Sequence, residues 1–192
     1  SGSTTPATYM TGRVHRAHGL LQNAHFGHRT GRHHHSAQRN EKLDAEAELV
    51  VIMKDSCRNV SKENAMQHVL GYTCGNDVSA RDWQEADRNW WRAKSTDTFS
   101  PAGPFIVTDI NPSNIRVTGR INGKEVQSET TSYLIFDIPT LVSYTSKFVT
   151  LEPGDMIYTG TPGTPGEMKD GDVCEIEIEG IGILSNPVKL EA

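Results

Sequence analysis

Residues 45–53, AEAELVVIM, are apolar at every position but two, Glu46 and Glu48. A strand turns alternate residues to opposite faces. Ala45, Ala47, Leu49, Val51 and Met53 therefore make one face, while Val50 and Ile52 continue the face of the two glutamates. Both faces are apolar beyond the glutamates, which predicts a strand buried on both sides. Residues 61–69 predict a short helix, with Ser61 as N-cap and Asn64 in its first turn. A second apolar strand runs through Tyr72 and Thr73 to Asp77. Ser79 and Asp82 have the spacing of a capping box, opening a helix with Trp83, Ala86 and Trp90 along one side. Pro101 and Pro104 interrupt the chain before a strand at 105–109. Ile115, Val117, Gly119 and Ile121 alternate up to Asn122-Gly123, a dipeptide suited to tight hairpins. A helical pattern covers 138–148, Pro153-Gly154-Asp155 turns the chain into a strand at 156–159, and strands at 173–178 and 183–188 follow. Many strands and few short helices predict an α+β, sheet-dominated fold.

Residues 1–40 break this pattern. They hold seven of the eight histidines and few large aliphatics, with neither helical nor strand periodicity. Arg13, Arg16, Arg29, Arg32 and Arg39 lie there and no acid precedes Glu41, so the arm carries about +5 and the remainder about −10. Such a segment buries too little apolar surface to offset its chain entropy. The expectation is an irregular basic arm at 1–40, a leader or lid remnant, followed by one domain at 41–192. His33-His34-His35 reads as a linker rather than a metal site, since a flexible run is poorly preorganised.

The net charge of −5 gives no reason to expect nucleic acid. Cys57, Cys74 and Cys174 are odd in number and widely spaced, which speaks against a disulfide framework or zinc knuckle. With no apolar run near the roughly 20 residues of a membrane span, the expectation is an intracellular protein, cytoplasmic or mitochondrial, with no membrane partner.

The glutamates carry the first chemical signal. A generic Glu-x-Glu on a strand is a solvent-facing pair, but here the strand is apolar on both sides. Two carboxylates at the end of a buried strand repel and desolvate each other unless a cation joins them. Glu175, Glu177 and Glu179 are the contrast: they alternate with Cys174, Ile176 and Ile178 as an ordinary polar-out face. Asp77 ends the next apolar segment, where alone it would read as a helix N-cap. With Glu46 and Glu48 it completes three hard oxygen ligands, suited to Mg²⁺ or Mn²⁺, with Ca²⁺ as the alternative.

The segments LDAEAELVVIM, GYTCGNDVSARDWQ, AKSTDTFSPAGPF and LEPGDMIYTGTP, in this order, resemble the fumarylacetoacetate hydrolase family over residues 40–192. The DWQ and DTFSPAGP forms look most like the subgroup of oxaloacetate tautomerases, 2-hydroxyhepta-2,4-diene-1,7-dioate isomerase-like proteins and acylpyruvate hydrolases. The resemblance implies a mixed β-sandwich or roll with short helices, a homodimer, and Mg²⁺ or Mn²⁺ on Glu46, Glu48 and Asp77. It also implies Lys94 and Arg81 as catalytic residues acting on substrate rather than on the fold, with Gln84 and Thr161 binding substrate.

A 2-oxo acid could chelate such a cation, which would polarise its carbonyl and stabilise an enolate. Tautomerisation, decarboxylation and C–C hydrolysis all follow from one enolate. In hydrolytic relatives a lid histidine and glutamate activate water after a G-x-N-Y-like segment. This chain lacks that segment, and its His15, His18, His25 and His28 have no acidic partner in the arm. The expectation is therefore a tautomerase or isomerase of an oxaloacetate- or acylpyruvate-like acid. The alternatives are a C–C hydrolase or decarboxylase, and a catalytically weak metal-binding homologue.

Overall fold

The computed structural model describes residues 13–15, 34–36 and 42–190. Three sheets organise them. The first has the order β1 (Arg13–His15), β10 (Met156–Tyr158), β4 (Ala47–Met53), β5 (Val69–Asn76), β7 (Ala102–Val107). The second has the order β11 (Gly166–Met168), β3 (Leu43–Ala45), β6 (Ser79–Ala80). The third runs β2 (His34–Ser36), β13 (Gly182–Leu190), β12 (Val173–Ile178), β8 (Arg116–Ile121), β9 (Lys124–Thr130). Three short helices join them: α1 (Arg81–Ala86), α2 (Trp91–Ser95) and α3 (Ile138–Phe148). The sheet-dominated α+β expectation holds.

Every residue of β4 is buried, as the two apolar faces require. Leu49, Val51 and Met53 enter the main core, where Val117 of β8, Cys174, Ile176 and Ile178 of β12, and Ile138, Leu141 and Val142 of α3 meet them. Val50 and Ile52 form a separate cluster on the opposite face with Met156 and Tyr158. β12 alternates as read, with Glu175 and Glu177 half-buried between buried Cys174, Ile176 and Ile178. The hairpin between β8 and β9 turns at Asn122 (φ 52°) and Gly123 (φ 75°), the two positive angles of a type I′ turn. α3 begins after Asp137, whose side chain accepts from Thr140 N, with a proline in the first turn.

Several boundaries differ from expectation. The strand expected over 45–53 is two strands, β3 and β4, interrupted at Glu46 where the chain passes between sheets. The helix expected over 61–69 shrinks to a 3₁₀ turn at Ala65–His68, and Val69 already belongs to β5. The capping box does not form. Ser79 lies in β6 with its hydroxyl donating to Asp77 O, and Asp82 accepts from Lys42 N. Trp90 lies between α1 and α2 rather than on one continuous helix. The strand at 105–109 starts earlier, at Ala102, on the sheet edge that tolerates Pro104. Within the expected arm, β1 pairs antiparallel with β10, and β2 pairs parallel with β13. The arm histidines outside these two strands, and the triple-histidine run as a whole, lie beyond the described residues. Among the described residues, no helix is long and apolar enough to cross a membrane.

One glycine fixes the approach of β5 to β10. Gly75 pairs with Glu48, and a Cβ built there would lie 2.3 Å from Val50 Cγ2 and 2.7 Å from Tyr158 Cε1. The valine is stiff at χ1, and the Tyr158 hydroxyl donates to Ser100 O at 2.9 Å, so neither neighbour yields freely. Gly75→Ala should cost about 1–3 kcal/mol by overpacking. That is a fall of roughly 3–10 °C in the melting midpoint for a chain of this size, measurable by circular dichroism. A midpoint equal to that of wild type would show that Tyr158 is free to move aside.

Candidate metal centre and its cavity

The interruption at Glu46 builds the site. β3 ends at Ala45 and β4 starts at Ala47, so residue 46 sits outside both strands. Its N–H is taken by the side-chain oxygen of Asn76 at 2.9 Å. Its carbonyl accepts from Asp77 N at 3.0 Å. The β4–β5 register sets Gly75 opposite Glu48 and Asn76 opposite Ala47, which brings the next residue, Asp77, beside Glu46. Glu46, Glu48 and Asp77 are 8%, 1% and 3% exposed, and one carboxylate oxygen from each lies within 4.8 Å of the others. Trans ligands around an octahedral Mg²⁺ stand about 4.2 Å apart, twice its usual bond length. The sequence-predicted triad is thus brought together in space.

Two cations share these carboxylates. Lys94 Nζ donates to Glu46 Oε2 at 2.7 Å and to Asp77 Oδ2 at 2.6 Å. Arg81 donates from Nη2 to Glu46 Oε1 at 2.6 Å, from Nε to Asp44 Oδ2 at 2.8 Å, and from Nη1 to Gln84 Oε1 at 2.7 Å. Glu48 touches neither cation; its Oε2 accepts one backbone N–H, from Gly160 at 2.7 Å. Burial, then the charges of Asp77 and Glu46, raise its pKa well above the ordinary glutamate value of 4.5, against the opposing Gly160 N–H and Lys94. Four carboxylates stand against two cations. The two negative charges left over match one divalent cation, and an all-oxygen donor set suits Mg²⁺ or Mn²⁺. The residues fit such an ion.

A cavity of about 480 Å³ opens onto this cluster. Glu46, Lys94, Gln84 and Thr161 supply polar lining, and Trp90, Val117, Leu134, Phe136 and Leu141 supply apolar wall. Among the described residues lining it there is no histidine, and Glu129 is the one carboxylate besides Glu46. Arg81 is engaged by Asp44, Glu46 and Gln84 and is not among the residues lining the cavity. The Thr161 hydroxyl donates to Ala47 O at 3.0 Å, which uses its single proton on the backbone. Sequence reasoning missed Asp44, although it alternates with Glu46 and Glu48 along the chain. It also missed Trp90 as a cavity residue and Asn76 as the partner of the Glu46 backbone.

The chain resembles known proteins over most of its length. Residues 18–189 match the model of a family described as "Fumarylacetoacetate (FAA) hydrolase C-terminal". The match begins inside the segment read as an arm. A protein of Archaeoglobus fulgidus is 53% identical over 149 residues, covering 78% of this chain and 60% of that protein. A mitochondrial oxaloacetate tautomerase of Xenopus laevis is 42% identical over 163 residues, covering 79% of this chain and 51% of that protein. The crystal structure of a 5-carboxymethyl-2-hydroxymuconate delta-isomerase from Mycobacterium smegmatis superposes with a TM-score of 0.82 at 44% identity, covering 84% of this chain and 65% of that one. The chain thus spans between half and two thirds of the length of these relatives.

The state of Glu48 yields a pH signature. Between 4.5 and its raised value, the folded chain holds a proton that the unfolded chain has released. Stability of the metal-free protein contributed by this group is therefore full below 4.5 and is lost as pH rises through the folded pKa. Glu48→Gln should remove that loss and melt higher than wild type at neutral pH in EDTA. Added Mn²⁺ should raise the melting midpoint of wild type but not of the variant. A metal-free Glu48→Gln protein that melts lower than wild type at neutral pH would contradict the assignment.

Proposed function

This chain belongs to the fumarylacetoacetate hydrolase family, and we propose that it interconverts the enol and keto forms of a small 2-oxo acid at a divalent-metal site on Glu46, Glu48 and Asp77. The observation that carries the reading is the convergence of these buried carboxylates with Lys94, a cluster from which Glu46 and Lys94 line one cavity. The names of the frog tautomerase and the mycobacterial isomerase support it, since both describe proton shifts. When bound, the cation supplies Lewis-acid polarisation of the 2-oxo carbonyl.

The chain's own groups do the rest. An ammonium has three donors; Lys94 uses two on Glu46 and Asp77, leaving one for a substrate oxygen. Its charge stands where negative charge develops when the carbon next to the carbonyl loses a proton. Arg81 keeps Glu46 and Asp44 from repelling, and through Nη1 it holds Gln84 at the cavity wall. The apolar side of the wall excludes water and so strengthens these electrostatic interactions. Lys94 thereby serves both substrate and fold: it is 3% exposed and joins two carboxylates, so its removal also unbalances the cluster.

Oxaloacetate gives a direct assay. Its enol absorbance should decay faster with protein and Mg²⁺ or Mn²⁺ than in buffer, and EDTA should abolish the difference. Lys94→Met in saturating Mg²⁺ should lower kcat by about 10² or more, and its metal-free melting midpoint should also fall. If neither oxaloacetate nor an acylpyruvate enol decays faster with the metal-loaded protein than in buffer, the reading fails.

A further inference from the structure

We propose that Gln127 is a positioning residue of the metal centre, closing a hydrogen-bonded ring that fixes the peptide units between Glu46 and Glu48. The inference rests on the reading of those carboxylates as metal ligands. Where the chain leaves one sheet for another at residue 46, the N–H of Ala47 points to the side-chain oxygen of Gln127, 3.1 Å away. The Gln127 amide nitrogen donates to Thr161 Oγ1 at 2.9 Å and to Pro162 O at 2.6 Å. Thr161 in turn donates to Ala47 O at 3.0 Å, which completes the ring at the residue where it began. Both polar groups of residue 47 are thus tied to the turn at 159–162. The same turn holds Glu48 directly through Gly160 N–H and Leu49 through the Thr159 hydroxyl at 2.8 Å.

Nothing about β9 alone requires a glutamine here. Gln127 is 4% exposed and absent from the cavity wall, so it touches no substrate. Its strand partner is Gly119, where an added Cβ would come within 3.2 Å of the Gln127 oxygen and 3.3 Å of Ala47 Cβ. The third sheet therefore gives up a side chain on β8 to let the amide reach β4. Buried glutamine is expensive unless its amide is satisfied; here the oxygen and both N–H groups find partners, all of them on segments that carry or flank a ligand. Groups that orient metal ligands in this way typically matter by 10–100-fold in metal affinity.

The test is Mn²⁺ binding, read by paramagnetic resonance of the free ion at a temperature where circular dichroism shows each protein folded. Gln127→Met keeps the length of the side chain and loses the ring, and should raise the Mn²⁺ Kd at least tenfold. Thr161→Val opens the same ring from the other side and should weaken binding in the same direction. The double variant should be no weaker than the worse single one, because a ring is broken only once. Ser146→Ala is the control for a structural loss. That hydroxyl is buried in α3 and accepts from Val60 N, away from the cavity. It should lower the melting midpoint while leaving the Kd within twofold. A Kd within twofold of wild type for a folded Gln127→Met overturns the inference, as do additive losses in the double variant. Should Gln127→Met fail to fold, Thr161→Val decides alone by the same criterion. Failure of the wild type to bind Mn²⁺ would overturn the metal reading itself and this inference with it.

Discussion

Like charge buried at one point is the constraint on which the rest of this domain depends. Asp44, Glu46, Glu48 and Asp77 are all nearly sealed from water, and an ionised carboxylate so placed costs several kcal/mol unless it is compensated. The chain compensates unequally. Arg81 spans Asp44 and Glu46, and Lys94 spans Glu46 and Asp77. Glu48 has one backbone N–H and holds its proton more tightly instead. That unequal sharing marks Glu48 as the carboxylate that, on the proposed reading, would give up its proton to a cation held among three oxygens.

Such a cluster dictates backbone as well as charge. Carboxylates on one continuous strand would point in parallel, whereas ligands must converge. Breaking the strand at Glu46 achieves convergence, at the loss of ladder hydrogen bonds for two consecutive N–H groups. Side-chain oxygens of Asn76 and Gln127 replace them, consistent with the near-absence of unpaired buried backbone donors in folded proteins. Asn76 thereby ties residue 46 to the first sheet, and Gln127 ties residue 47 to the third.

Much of this was legible in the sequence, and the reasons are specific. β4 was readable because seven consecutive buried positions leave room for polar residues only at its entrance. α3 was readable because a capping aspartate, a proline and a helical stripe agree. The triad followed from the apolar setting of its members, and the same reasoning dismissed Glu175, Glu177 and Glu179. Local pattern failed where distant partners decide. β1 and β2 take their strand form from β10 and β13, far away in the chain. The break at Glu46 comes from sheet switching, which propensity does not encode. Ser79 had the spacing of a cap, but Asp77 O captured its hydroxyl. Gln127 left a faint trace: on the hairpin after Asn122-Gly123, it is the polar residue that register sets against an inward Gly119.

The two ends of the cavity rest on different supports. The carboxylates sit on or beside β3, β4 and β5, buried between neighbouring strands, whereas Trp90, Leu134 and Phe136 lie in connecting segments outside any strand. Substitutions in those connections can reshape what fits without disturbing the charge balance, and changes near residue 46 alter every reaction the site supports. A lineage carrying this domain can therefore diversify its substrates by drift in the connections while the electrostatic engine stays the same. In such a lineage the residues that distinguish one activity from another should be sought along 131–136 and around Trp90.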